Sequence, residues 1–267
     1  MIKQIYKYRF LLKEIVRKNI KLQYRNSILG VFWTFLQPLL TTLVLVLVFS
    51  RIFGKDSSAV LNYPVYLLCG RLLYEFYTQS TKRAMHSIVH SASVIKKVYI
   101  PKYIYPLSNV ISTFVTFLIS LTVLVVFITY FQLFSDNPVN LTFYAFFAFV
   151  PIIILFLLCV GVGLILSVLE VFFKDVEYLY DVFCMLIFYF TPIFYNVKQL
   201  NLNNPLVLRA MMANPLYSIV SMFRSCVLFG EMWHWSWFWY SLGFSVFCII
   251  VGTLAFWKNQ DKFILHI

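Results

Sequence analysis

Tyr24-Arg25-Asn26-Ser27-Ile28-Leu29-Gly30-Val31-Phe32-Trp33-Thr34-Phe35-Leu36-Gln37-Pro38-Leu39-Leu40 divides the chain into two physical regimes. Before it stand Lys3, Lys7, Arg9, Lys13, Arg17, Lys18, Lys21 and Arg25 against one acid, Glu14. At about 100° per residue, Lys3, Lys7, Arg17, Lys18, Lys21 and Arg25 gather on one helical face, and Ile5, Tyr8, Leu12, Ile15 and Val16 on the other. Such a helix lies in a membrane interface, its apolar face in the acyl boundary and its basic face among headgroups. It is either a general positive anchor or a platform near the loading point of a lipid-linked anionic substrate. Both readings place residues 1–29 in the cytoplasm. After the stretch begins an apolar run that starts too late and runs too long for a signal-peptide core of about 7–15 residues, so it is retained as a membrane anchor.

Working outward, the rest of the chain repeats the apolar pattern. Of 267 residues, 61% are hydrophobic and 12% charged, against about 25% charged in a soluble domain. Runs longer than about 18 residues recur, each long enough to cross a bilayer. Spans are predicted at about 31–53, 63–88, 104–131, 142–169, 178–197 and 233–257. Residues 198–232 are broken by Pro205, Pro215, Arg209, Arg224 and several Asn. Short re-entrant helices on the outer side fit that segment better than a seventh span. The expectation is therefore an all-α integral membrane protein, one transmembrane domain over 1–267.

The net charge of +12 does not point to nucleic acid, because the basic residues flank apolar runs. With six spans, residues 1–29, Lys82, Arg83, Lys96, Lys97, Lys102, Lys174, Lys258 and Lys262 fall on one side. Only Arg51, Lys55, Lys198, Arg209 and Arg224 fall on the other. Basic residues concentrate on the cytoplasmic side, so both termini are expected there. Pro38 is tolerable if a neighbouring helix serves the carbonyl it frees. Pro106 is expected to kink or delay the third span. Gly161 and Gly163 allow close helix approach. Arg71 and Glu75, four apart on one face, either face the protein interior or snorkel to the outer interface.

Little in the chain looks catalytic. His86 and His90 share a helical face, but no Glu follows His86 as in His-Glu-x-x-His and no third ligand is evident. They read as histidines of the headgroup region, and no metal is expected. Glu170, Asp175, Glu177 and Asp181 form a carboxylate-rich stretch without an acid/base or metal pattern. The cysteines Cys69, Cys159, Cys184, Cys226 and Cys248 lack ligand spacing. Trp233-His234-Trp235-Ser236-Trp237 reads as an interfacial aromatic belt. No Gly-x-x-x-x-Gly-Lys-[Ser/Thr] loop occurs, so a nucleotide-driven process would need a separate ATPase. Tyr180, Phe183, Phe190 and Phe194 recur at about helical spacing; they either pack or face lipid, or they offer rings to sugar C–H faces.

These residues carry a resemblance. Leu22 through Trp33 with Gln37-Pro38 is similar to the opening of the first span in type-2 ABC exporter permeases, specifically those for O-antigen, teichoic acid and capsular polysaccharide. Ser93-Val94-Ile95-Lys96-Lys97-Val98-Tyr99-Ile100-Pro101 resembles that family's loop between spans two and three. Phe173-Lys174-Asp175, Phe190-Thr191-Pro192-Ile193-Phe194-Tyr195 and Ala213-Asn214-Pro215-Leu216 with Arg224 follow in the family's order. Lys174 departs from it, since Arg is frequent there.

The resemblance implies a half-transporter: a homodimeric pore in a bacterial plasma membrane, with two ATPase subunits that hold ATP and Mg, and no cofactor in this chain. It implies a coupling helix at Ser93, Ile95, Lys96, Lys97, Val98 and Tyr99, with Ile95 and Val98 as anchors. It makes Trp33, Phe35, Phe190 and Tyr195 candidates for the substrate channel, and Lys21 and Arg25 candidates for headgroup loading. The cargo would be a lipid-linked glycan. The competing expectations are a permease for a small lipid or drug, an integral-membrane glycosyltransferase, and a secondary transporter.

Overall fold

The computed structural model describes residues 6–25, 27–52, 62–98, 100–134, 139–140, 142–195 and 205–263. Tyr99, nearly all of the predicted outer loop at 54–62, and residues 198–204 lie outside the described residues. Among those described there are helices and turns and no strand. The amphipathic segment forms α1 (Arg9–Gln23). A 3-10 turn at Gly30–Phe32 leads into α2 (Trp33–Ile52). Then come α3 (Tyr63–His90), the short α4 (Ala92–Ile95) and α5 (Ile104–Phe134). A 3-10 turn at Phe143–Ala148 precedes α6 (Phe149–Phe172), which is followed by α7 (Val176–Phe190). Two short helices, α8 (Pro205–Met212) and α9 (Pro215–Arg224), precede α10 (Trp235–Asn259).

Among the described residues, four segments are long and apolar enough to cross a membrane: Gly30–Val48, Ile104–Phe134, Phe143–Phe172 and Trp235–Asn259. The two other predicted spans differ for physical reasons. α3 has 28 residues, about 42 Å at 1.5 Å per residue, but carries Arg71, Glu75, Lys82 and Arg83 and is wrapped by the bundle. α7 has 15 residues, about 22 Å and less than the hydrocarbon thickness of about 30 Å. It stops at Phe190 because Pro192 pushes Thr191 out of the helical region, to φ −93° and ψ 122°. Pro106 does not delay α5. It sits in the first turn, where no intrahelical N–H is needed.

α6 is the central helix, packed between α3 and α10. A Cβ built on Gly161 would lie 2.7 Å from the backbone of Cys248 and Ile249. One built on Gly252 would lie 2.7 Å from the Gly161 carbonyl. Only glycine lets these two backbones approach so closely. Pro38 sits inside α2 and cannot bond the Thr34 carbonyl. Ser120 Oγ of α5 donates to that carbonyl at 2.9 Å.

One end of the bundle gathers the basic residues. There Tyr8, Leu11, Leu12 and Ile15 of α1 pack on a buried cluster that includes Ile88, Ile95, Tyr103, Phe256 and Phe263. The apolar face of α1 thus rests on its own bundle rather than only on acyl chains. Lys102 lies over the Phe263 ring at 5.7 Å and donates to the Gln260 carbonyl, which ties the carboxyl-terminal turn to this end. Burial lowers the pKa of the Lys102 ammonium against the opposing pull of Asp261.

Candidate functional site

The surface of α3 carries a pattern that hydropathy alone conceals. Its partly exposed positions are Arg71, Tyr74, Glu75, Thr78, Gln79, Lys82, Arg83 and His86, ending in exposed His90, while the intervening residues are mostly buried. Steps of three and four place them on one face. The face is polar or charged over its whole length, about 28 Å from Arg71 to His90 at 1.5 Å per residue. Arg71 Nε lies 3.8 Å from Glu75 Oε2, and their side chains are 20% and 25% exposed.

Three cavities follow this face. The first, of 670 Å³, lies where α2, α3 and α7 meet: Arg71, Tyr74, Glu75, Thr78 and Gln79 line it from α3, while Leu40, Val44 and Leu45 of α2 with Phe188 and Phe194 make the opposite walls largely apolar. The second, of 170 Å³, shares Glu75 and Gln79 and extends to Gln23, Tyr24, Gln37 and Arg83. Gln23 Oε1 accepts from Arg83 Nη1 at 2.8 Å, which joins α1 to α3. The third, of 490 Å³, opens at the basic end between Lys18, Lys82, Arg83, His86, His90 and Asn109. Shared residues connect the three into one track along the polar face of α3.

α7 forms the track's side wall and is held mainly by polar links. Tyr74 Oη donates to the Cys184 carbonyl at 2.8 Å, and Tyr180 Oη donates to Thr81 Oγ1 at 2.7 Å. Lys82 Nζ meets Asp181 Oδ1 at 2.7 Å. The opposite face of α7 is bare: Leu179, Val182, Phe183, Met185, Leu186 and Tyr189 are exposed.

At the far end the non-helical run Thr191–Tyr195 has carbonyls with no helical partner, and side chains serve them. Arg224 is fully buried and donates to Pro192 O at 2.6 Å, to Ile193 O at 3.0 Å, and to Tyr66 O at 3.2 and 3.0 Å. Its guanidinium carbon lies 3.5 Å from the centre of the Tyr66 ring. Tyr66 Oη donates to Tyr195 O at 2.9 Å, and Tyr63 Oη to Phe194 O at 3.1 Å. Asn214 caps α9 through Leu216 N and donates to Thr191 Oγ1 at 2.8 Å. One latch therefore unites Thr191-Pro192, Asn214-Pro215 and Arg224, which are far apart in the sequence.

The sequence-predicted site residues fall at several places. Phe35 packs against the main core, and Trp33 is exposed near the amino-terminal end of α2. Phe190 lines a separate apolar cavity with Phe183, Leu186 and Phe244. Tyr195 donates to the Tyr189 carbonyl at 2.6 Å, in the latch region. These four are not brought together; Phe188 and Phe194 reach the track instead. Lys21 and Arg25 are exposed and share a surface concavity with Arg17 and Lys18. Ser93, Lys96, Lys97 and Val98 face outward, whereas Ile95 is buried at 8% exposure against the chain's own bundle. Among the described residues of this segment the exposed apolar ones are Val94 and Val98.

A bundle of apolar helices with one polar helix face fronting a row of open cavities fits a multi-pass membrane permease. The chain belongs to the ABC-2 type transporter family, whose sequence profile matches residues 11–228. It is similar to O-antigen export system permease proteins RfbA. One from Klebsiella pneumoniae is 26% identical over 256 residues, covering 95% of this chain and 93% of the relative. A second from Klebsiella pneumoniae is 27% identical over 224 residues, covering 83% and 82%. One from Myxococcus xanthus is 26% identical over 227 residues, covering 84% and 83%.

Proposed function

We propose that this chain is the membrane subunit of an ATP-driven exporter that moves a lipid-linked polysaccharide from the cytoplasmic to the outer side of a bacterial plasma membrane. The observation that carries the reading is the track along the polar face of α3. A glycan crossing a bilayer loses water from many hydroxyls, and each needs a replacement partner. Arg71, Glu75, Thr78 and Gln79 offer donors and acceptors along the path, while Tyr74, Phe188 and Phe194 offer ring faces to sugar C–H surfaces. Such contacts are numerous and individually weak, which suits a sliding polymer. The basic cavity at Lys18, Lys82, Arg83, His86 and His90 suits the pyrophosphate of a lipid carrier, with Lys21 and Arg25 gathering it at the surface.

In this reading the chain crosses six times. α3 and α7, the latter with the non-helical run Thr191–Tyr195 completing its crossing, add to the four apolar spans, α8 and α9 re-enter from the outer side, and both termini are cytoplasmic. α3 is sheltered from lipid by its neighbours, which is how a helix bearing charges can cross. A second copy covers the bare face of α7 and closes the track into a channel. Two ATPase subunits dock on Ser93, Val94, Lys96, Lys97 and Val98, hold ATP and Mg, and drive the copies between two arrangements. The latch around Arg224 holds the outer gate.

The test is deletion of the chain followed by complementation. Surface polysaccharide should vanish while lipid-linked polymer accumulates inside. A variant with Glu75→Leu, Thr78→Leu and Gln79→Leu should insert normally and fail to restore export. Loss of polymer synthesis rather than export would point to an enzyme. Unchanged polysaccharide would point to a small lipid or drug as cargo.

A further inference from the structure

His86 has neighbours that its local sequence does not reveal. Glu170, near the end of α6, and Glu177, in the first turn of α7, converge on its ring. His86 Nδ1 lies 3.5 Å from Glu170 Oε1, and Nε2 lies 3.5 Å from Glu177 Oε1. One ligand atom from each residue lies within 4.8 Å of the others. Glu170 is 5% exposed, and its Oε2 is buried without a hydrogen-bond partner. A carboxylate buried in this way is costly unless a cation meets it. Lys174 acts on this carboxylate only through space, without an ion-pair contact, and Lys82 is engaged by Asp181 at 2.7 Å. His90 stacks on the His86 ring, with centroids 5.5 Å apart, and helps to fix its orientation.

We propose that His86, Glu170 and Glu177 bind one divalent transition-metal ion of the zinc class. One imidazole nitrogen with two carboxylate oxygens is a ligand set that zinc accepts, with water in a fourth position. Bonds of about 2.1 Å at tetrahedral angles put neighbouring ligand atoms about 3.4 Å apart. The His86–Glu170 separation already matches that edge. Glu177, with its side chain 46% exposed, has room to swing into the third position and leaves the ion a path from solution. The ion would bolt α3, α6 and α7 together at the basic end. α3 ends there at His90, immediately before the outward-facing segment at Ser93–Val98.

The experiment uses the full-length chain in lipid nanodiscs, carrying an affinity tag without histidines and stripped with EDTA. Zinc chloride is titrated by calorimetry, and cobalt is followed by its visible absorption. The expected result is one saturable zinc per chain, tetrahedral cobalt bands that zinc abolishes, and no displacement by excess magnesium. His86→Gln and Glu170→Gln should weaken zinc at least tenfold. Glu177→Gln, at a half-exposed position that packing does not require, should also weaken it while leaving the gel-filtration profile unchanged. The proposal is overturned if the wild-type chain shows no saturable zinc binding. It is equally overturned if affinity is unchanged in Glu177→Gln, or if magnesium competes on equal terms.

Discussion

Replacing Arg224 with Met removes the latch's centre while keeping a side chain of similar length. In the native structure the guanidinium serves the carbonyls of Pro192 and Ile193, which lie in non-helical backbone. The substitute for Pro192 is weak, since Tyr66 Oη reaches that carbonyl at only 3.4 Å. A hydrogen bond to a charged donor contributes about 1.5–3 kcal/mol, so losing two costs about 3–6 kcal/mol. At roughly 2–4 °C per kcal/mol for a chain of this size, the melting temperature should fall by on the order of 10 °C. Tryptophan fluorescence on heating the purified chain in nanodiscs measures it. Arg224→Lys should recover less than half, because an ammonium on a flexible stem does not reproduce the planar fork. Gly70→Ala should produce a related defect, since its Cβ would collide with Arg224 Nη2. A melting point for Arg224→Met within about 2 °C of wild type would refute the reasoning that the broken end of α7 depends on this residue.

Other outcomes follow from the packing and from the proposed docking segment. Gly161→Val forces the α6 and α10 backbones apart and should destabilise by at least about 1–3 kcal/mol, seen as a lower melting point in the same assay. Ser120→Ala strands the Thr34 carbonyl and should cost about 1–3 kcal/mol. Adding Pro38→Ala should restore most of that loss, because an alanine at this position supplies the missing N–H, and a double-mutant cycle reads the coupling. Changing Lys96 and Lys97 together to Glu should abolish export while membrane insertion, checked by fractionation, persists.

The long apolar runs, the short helices that begin at Pro205 and Pro215 and the need for a partner to Pro38 are all legible in the sequence. They rest on local composition and on proline chemistry. The family is also legible, because motifs that are scattered in space keep their order along the chain. The end of α7 is overestimated from sequence because Ile193, Phe194 and Tyr195 are apolar enough to extend the run, although Pro192 stops the helix at Phe190. Of the two rings facing the track, Phe194 is among those the sequence singles out and Phe188 is not: with the helix ended, Phe194 turns toward Phe188 at 5.2 Å between centroids, while Phe190 faces elsewhere.

The α3 face shows a different limit. Arg71 and Glu75 stand out as charges, but Thr78, Gln79, Lys82 and His86 become a continuous face only once burial fixes which side of the helix stays open. Ile95 presents the same difficulty, since an apolar residue in a basic loop fits an inward or an outward anchor equally well until the fold decides. The convergence of Glu170 and Glu177 on His86 has no local signal at all, because three separate helices supply the residues.

The central claim is that the α3 face lines an aqueous path, and cysteine accessibility tests it directly. Thr78→Cys and, as a control, Val125→Cys on the exposed apolar face of α5 would be treated in intact exporting cells with a membrane-impermeant thiol reagent. The native cysteines are buried and give a low background. The account predicts that Thr78→Cys is labelled, that labelling blocks polysaccharide export, and that Val125→Cys is untouched. Labelling of Val125→Cys with Thr78→Cys left unreactive would contradict it.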